Sequence, residues 1–106
     1  MVDEFDSRLP GSFHFDWARA GHIFRDAPGH VHPATAASRE RFARLFERVA
    51  SNPDNRLPDA PLPQQATAVG VQVYAQTSRN GKQVWVYIRD RRILNAGVNP
   101  PGVHRS

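Results

Sequence analysis

Two runs of period-two alternation flank Asn80-Gly81, and no other feature constrains the fold of this 106-residue chain as strongly. Ala68–Ser78 and Gln83–Arg89 alternate along their length, with Arg79-Asn80-Gly81-Lys82 between them. Alternation sends successive side chains to opposite faces of a strand. Asn-Gly is the preferred two-residue hairpin turn, because both central positions take positive φ. Such a turn pairs Arg79 with Lys82 and, further along, Gln76 with Trp85 and Tyr74 with Tyr87. One face then carries Val71, Val73, Ala75, Thr77, Val84, Val86 and Ile88. The other carries Gln72, Tyr74, Gln76, Ser78, Gln83, Trp85, Tyr87 and Arg89.

Ile93–Val98 reads as a third strand, ended by Asn99-Pro100-Pro101-Gly102 because proline cannot continue an interior ladder. A two-residue turn at Asp90-Arg91 would put Ile93, Asn95 and Gly97 on the apolar face. A three-residue loop through Arg92 would put Leu94, Ala96 and Val98 there instead. The second choice buries better residues, so a three-residue or bulged loop is expected, with Asn95 and Asn99 joining the polar face.

The apolar sheet face needs a cover, and the clearest helix supplies one. Within Thr35–Ser51, Phe42, Leu45, Phe46 and Val49 follow i, i+3, i+4, i+7 spacing. Glu40–Arg44 and Arg44–Glu47 are favourable helical pairs. Thr35 or Ser38 can cap the start, and Asn52-Pro53 stops the end. Residues 52–65 contain four prolines and no periodicity, so they read as a connector. Residues 1–12 are acidic, contain Pro10-Gly11, and read as an entry segment or linker. A short helix or turn is expected near Asp16–Ala20. The expectation is an α+β fold: an N-terminal helical or looped part with one main helix (about 35–51), packed on a three- to four-stranded antiparallel sheet (about 68–98). Residues 13–106 are expected to form a single domain.

Composition narrows the chemistry. There is no cysteine, which excludes a disulfide scaffold, a zinc-thiolate site, a zinc deaminase and a thiol nucleophile. No apolar run approaches the ~20 residues that span a bilayer. Of the 14 Lys and Arg residues only Lys82 is a lysine, and the net charge is +4. An arginine-dominated basic domain suits an anionic partner, with nucleic acid the first candidate. The face with Tyr74, Trp85, Tyr87 and Arg89 could stack bases and hold phosphate. A solvated sheet face with cross-strand aromatic pairs would show the same pattern.

Metal motifs, glycine-rich phosphate loops and paired carboxylates are missing from the sequence, and no cofactor is expected. His30-x-His32 has no third ligand at a helpful spacing. Histidine, arginine and polar sheet residues remain. Five histidines are present, and four lie between positions 14 and 32. His22 and His30 each follow a glycine. This set suits metal-independent RNA cleavage, where the 2′-hydroxyl is the nucleophile. The protein then supplies an acid and a base near neutrality, with cationic donors for the phosphorane.

The stretch GHIFRDAPGHVHPATAASRERFARLFERVASNP (21–53), followed by AQTSRNGKQVWVYIRDRRILNAGVNPPG (75–102), resembles the C-terminal toxin domains of bacterial polymorphic and contact-dependent inhibition toxins. Many such domains are similar to the superfamily that unites barnase, EndoU and the tRNA-cleaving colicins. The resemblance implies a metal-independent ribonuclease acting on RNA, with tRNA the expected substrate, in the cytoplasm of a target bacterium. It also implies a larger secreted carrier upstream and a cognate acidic immunity protein. Carried onto this chain, it makes His22 and His30 acid/base candidates. Arg25 and either Arg79 or Lys82 become phosphate ligands. Thr77 or Ser78, Gln83, Trp85 and Tyr87 become sheet residues at the cleft.

Two alternatives come from other classes. A non-catalytic RNA- or protein-binding module needs only the aromatic sheet face. A toxin domain with another activity, such as ADP-ribosyl transfer, normally wants a glutamate in its sheet, and none lies within 68–98.

Overall fold

The computed structural model describes residues 13–57 and 70–103. The entry segment, most of the proline-rich connector, the first residues of the 68–78 run and His104 lie outside the described residues. Strand β1 (His14–Phe15) leads into a 3-10 turn (Trp17–Arg19) and the short helix α1 (Ala20–Ile23). The main helix α2 (Ala36–Ser51) follows, then a 3-10 turn (Pro53–Asn55) and strands β2 (Gln72–Thr77), β3 (Gln83–Arg89) and β4 (Arg92–Asn99).

The fold is α+β, as expected, with α2 packed on a four-stranded sheet of order β1-β4-β3-β2. The sheet is mixed rather than antiparallel throughout. β2, β3 and β4 form an antiparallel meander, while β1 joins the outer edge of β4 in parallel. The parallel pairing is possible because α1 and α2 intervene between β1 and the meander, which frees β1 from hairpin geometry. Among the described residues no helix is long and apolar enough to cross a membrane.

Helix α2 starts and stops by local chemistry. Thr35 is the N-cap, its hydroxyl accepting from the Ser38 N–H at 3.0 Å. At the other end the Asn52 side chain accepts from Asp54 N–H at 3.0 Å, with Pro53 opening the next turn. Arg44 bridges Glu40 at 2.9 Å and Glu47 at 2.6 Å. Ala43, Phe46, Val49 and Ala50 are buried, whereas Phe42 and Leu45 are only half-buried. The buried line includes two alanines, whose small side chains let the helix approach the sheet closely. Glu47 adds a polar tie, its second carboxylate oxygen accepting from the Phe15 N–H at 2.9 Å.

The β2–β3 register differs by one residue from that of a two-residue turn. Thr77 pairs with Gln83, Ala75 with Trp85 and Val73 with Tyr87. The loop has three residues, Arg79-Asn80-Gly81, closed by Ser78 N–H to Lys82 O at 2.8 Å. Gly81 takes φ +87°, while Asn80 does not take positive φ. The Asn80 side chain instead accepts from Lys82 N–H at 3.1 Å and from the Ser78 hydroxyl. Both hairpin types accept Asn-Gly, but only one positive φ is needed when the glycine forms the bulge. A one-residue slip turns every β2 side chain over relative to β3. Tyr74 therefore joins Val86, Ile88 and α2 in the main core, where Phe13 lies against it at 5.6 Å. Val73 and Ala75 join Trp85 and Tyr87 on the far side, with Leu57 and Val71 packed against them.

The β3–β4 connection keeps the expected faces of Ala96, Val98, Asn95 and Asn99 but places the extra residue inside the strand rather than in the loop. It is a tight two-residue turn, with Asp90 at φ +53° and Arg91 at φ +63°, pairing Arg89 with Arg92. The extra residue enters inside the strand, where Ile88 pairs with Ile93 but Tyr87 pairs with Asn95. This bulge lets Ile93 and Ala96 both reach the main core, with Val98 packed against it, while Asn95 and Asn99 pair with Tyr87 and Gln83 on the far face.

Candidate active site

The far face of the sheet is not an open platform. Trp85 is 0% exposed, Tyr87 3% and Gln83 5%, so their rings and amide are not offered to solvent as a stacking and reading surface. This corrects the open aromatic face expected from alternation. The Gly29-His30 loop lies on the face instead. The indole N–H of Trp85 donates to Gly29 O at 2.9 Å, and the His30 ring meets the indole edge-on at 5.3 Å. Asn99 donates to the Gln83 side-chain oxygen at 3.2 Å, inside the same layer.

Gly97 makes this docking possible. A Cβ at position 97 would stand 1.8 Å from Gly29 O and 2.7 Å from the Trp85 ring. Gly29 takes φ +79°, and a Cβ there would lie 2.8 Å from the Asn99 side-chain oxygen. The two glycines therefore allow loop backbone and strand backbone to touch, the usual meaning of a glycine inside a strand.

The loop brings His30 back to the end of α1, where His22 sits. His30 Nδ1 lies 3.0 Å from Ile23 O, and a carbonyl can only accept, so Nδ1 carries the proton. The accepting carbonyl belongs to the residue that follows His22. His22 is exposed, with its Nδ1 2.8 Å from an Arg25 terminal nitrogen. Guanidinium only donates, so this imidazole nitrogen accepts. The same arginine nitrogen donates to His22 O at 3.2 Å. Partial desolvation of the ring lowers the His22 pKa below its ordinary value, and the charges of Arg25, Arg19 and His30 push it the same way. His22 is therefore held neutral at pH 7, with three cationic or titratable groups acting on it.

Of the residues singled out by sequence, His22, His30 and Arg25 form one cluster. Thr77, Ser78, Arg79 and Lys82 are exposed at the β2–β3 hairpin end, beside Gln83. Arg89 is exposed at the opposite end of β3. Sequence reasoning missed Arg19, whose Nε donates to Leu94 O at 2.9 Å and whose charge reaches His22. It also missed Gly97, although an isolated glycine within a strand is a signal for close backbone approach. His14 and His32 are exposed. Among the described residues no three histidine, aspartate or glutamate side chains gather as a metal-binding group. Comparison of the chain with protein-family models, curated proteins and solved structures finds no significant match.

Proposed function

We propose that this chain is a metal-independent ribonuclease domain of the bacterial toxin type, cleaving RNA by attack of the 2′-hydroxyl on the adjacent phosphorus. The observation that carries the reading is the His22–Arg25 pair beside a His30 whose tautomer is fixed by Ile23 O. Neutral His22 is suited to act as base, but Arg25 occupies its Nδ1 lone pair. An RNA phosphate competes for the guanidinium and releases that lone pair. His22 then takes the 2′-hydroxyl proton as the 2′-oxygen–phosphorus bond forms. His30, protonated, gives a proton through Nε2 to the departing 5′-oxygen as the phosphorus–5′-oxygen bond breaks. Arg25 and Arg19 neutralise charge on the phosphorane. The products are a 2′,3′-cyclic phosphate and a 5′-hydroxyl. The basic, cysteine-free composition and the resemblance to toxin domains support tRNA as substrate, delivery by a larger secreted protein into a target bacterium, and restraint by an acidic immunity protein. A binding module built on exposed Tyr74, Trp85 and Tyr87 is disfavoured, because all three rings are buried.

The test is incubation of purified protein with total RNA and tRNA in the presence of a chelator. Cyclic-phosphate ends from the native chain, lost in folded His22→Ala and His30→Ala variants, are the expected result. Intact RNA with native protein, or full cleavage by both variants, overturns the reading.

A further inference from the structure

A cavity of about 450 Å³ opens at the β3–β4 turn, lined by Asp16, Arg19, Arg89, Asp90, Arg92 and Leu94. Arg89 pairs with Arg92 across the turn, one step beyond the Ile88–Ile93 pair and its bulge, and both side chains are exposed. Among the described residues no ion pair engages Arg19, Arg89 or Arg92, since both ion pairs found belong to Arg44. Both aspartates of the lining are anionic, Asp16 accepting from the Ala18 N–H at 3.1 Å and Asp90 standing at the exposed turn tip. Three arginines against two aspartates leave a net positive cavity.

Arg19 connects this cavity to the histidines. Its Nε is fixed on Leu94 O, its side chain lines the cavity, and its charge reaches His22. Asp90 and Arg91 both take left-handed backbone, the geometry of a tight two-residue hairpin turn. A tight turn with no glycine, set between two arginines, keeps a charged run (Arg89-Asp90-Arg91-Arg92) at the rim of the cavity.

We propose that this cavity is a phosphate subsite for a polynucleotide, and that Arg89 and Arg92 hold a backbone phosphate next along the chain from the one facing His22. The placement of the bound strand rests on the ribonuclease reading. The substrate is then an RNA of several nucleotides rather than a dinucleotide, because the second phosphate lies outside the reacting one.

The experiment measures binding of a 2′-O-methyl RNA 12-mer, which cannot be cleaved through the 2′-oxygen, by fluorescence anisotropy across a salt series. Arg89→Gln/Arg92→Gln is compared with Arg41→Gln/Arg48→Gln, which removes the same charge from exposed positions on α2. The cavity pair should lose about tenfold or more in affinity, and its salt slope should fall by about one per arginine removed. The helix pair should change little. Equal losses in the two double variants, or no loss in the cavity pair, overturn the subsite. Cleavage of ordinary RNA is measured separately. Absence of cleavage with cavity-dependent binding removes the ribonuclease reading and leaves the subsite standing; cleavage without cavity-dependent binding does the reverse.

Discussion

The Trp85 indole donates a 2.9 Å hydrogen bond to the carbonyl of Gly29, joining β3 to a loop 56 residues earlier in the chain. Trp85 is fully buried, so its indole N–H cannot turn to water without opening the far face. The same loop carries His30, whose ring rests on the indole. Packing of the sheet and placement of His30 beside the end of α1 are therefore one structural event.

Trp85→Phe removes the donor and leaves Gly29 O unsatisfied. Loss of a buried partner costs ~1–3 kcal/mol. Urea denaturation should show a drop of that size, and the proposed RNA cleavage should fall with it as the loop that carries His30 loosens. Unchanged stability would mean that water replaces the indole at Gly29.

Gly97→Ala drives a methyl into the Gly29 carbonyl, a backbone atom that can yield only by moving the loop. Overpacking costs ~1–3 kcal/mol. The chain should melt at lower temperature, and the His30 ring resonances should shift by NMR. A variant with native stability and native His30 shifts would show that the loop does not lie on β4.

Because its pKa is lowered, His22 binds fewer protons in the folded chain than in the unfolded chain. This group therefore favours folding above its ordinary value of 6.5, and that contribution is lost as pH falls through the lower folded value. NMR titration should place the His22 midpoint below 6.5. Arg25→Ala should raise it, since one of the charges opposing protonation is gone. A His22 midpoint at or above 6.5 in the native chain contradicts the arrangement.

Arg91→Gly relieves a left-handed position in the two-residue turn. Glycine has no Cβ penalty there, and the gain should be about 1 kcal/mol. Chemical denaturation should show higher stability. A loss would mean that the Arg91 side chain makes a compensating contact.

Glu47 accepts from Phe15 N–H and from Arg44. Glu47→Ala should cost ~1.5–3 kcal/mol, in the range of hydrogen bonds to charged groups. Glu47→Gln should cost less, because its amide oxygen can still accept from Phe15. Hydrogen exchange at Phe15 reads the difference directly: faster exchange in Glu47→Ala than in Glu47→Gln is expected, and identical rates would refute the tie between α2 and β1.

Whatever depends on near neighbours was legible along the chain. Helix α2, its Thr35 cap, its Asn52-Pro53 stop and both Arg44 ion pairs follow from spacings of three and four residues. The existence of the three meander strands follows in the same local way, from period-two alternation. Long-range packing settled the remainder. Asn80-Gly81 is compatible with two loop lengths, and only packing against α2 chooses the one that buries Tyr74 with Val86 and Ile88. The parallel docking of β1, the closure of the far face by Gly29, and the approach of Arg19 and Arg92 to one cavity all join residues far apart in the chain. Such contacts leave no periodic trace, because their energy comes from surfaces that meet only after the chain has folded.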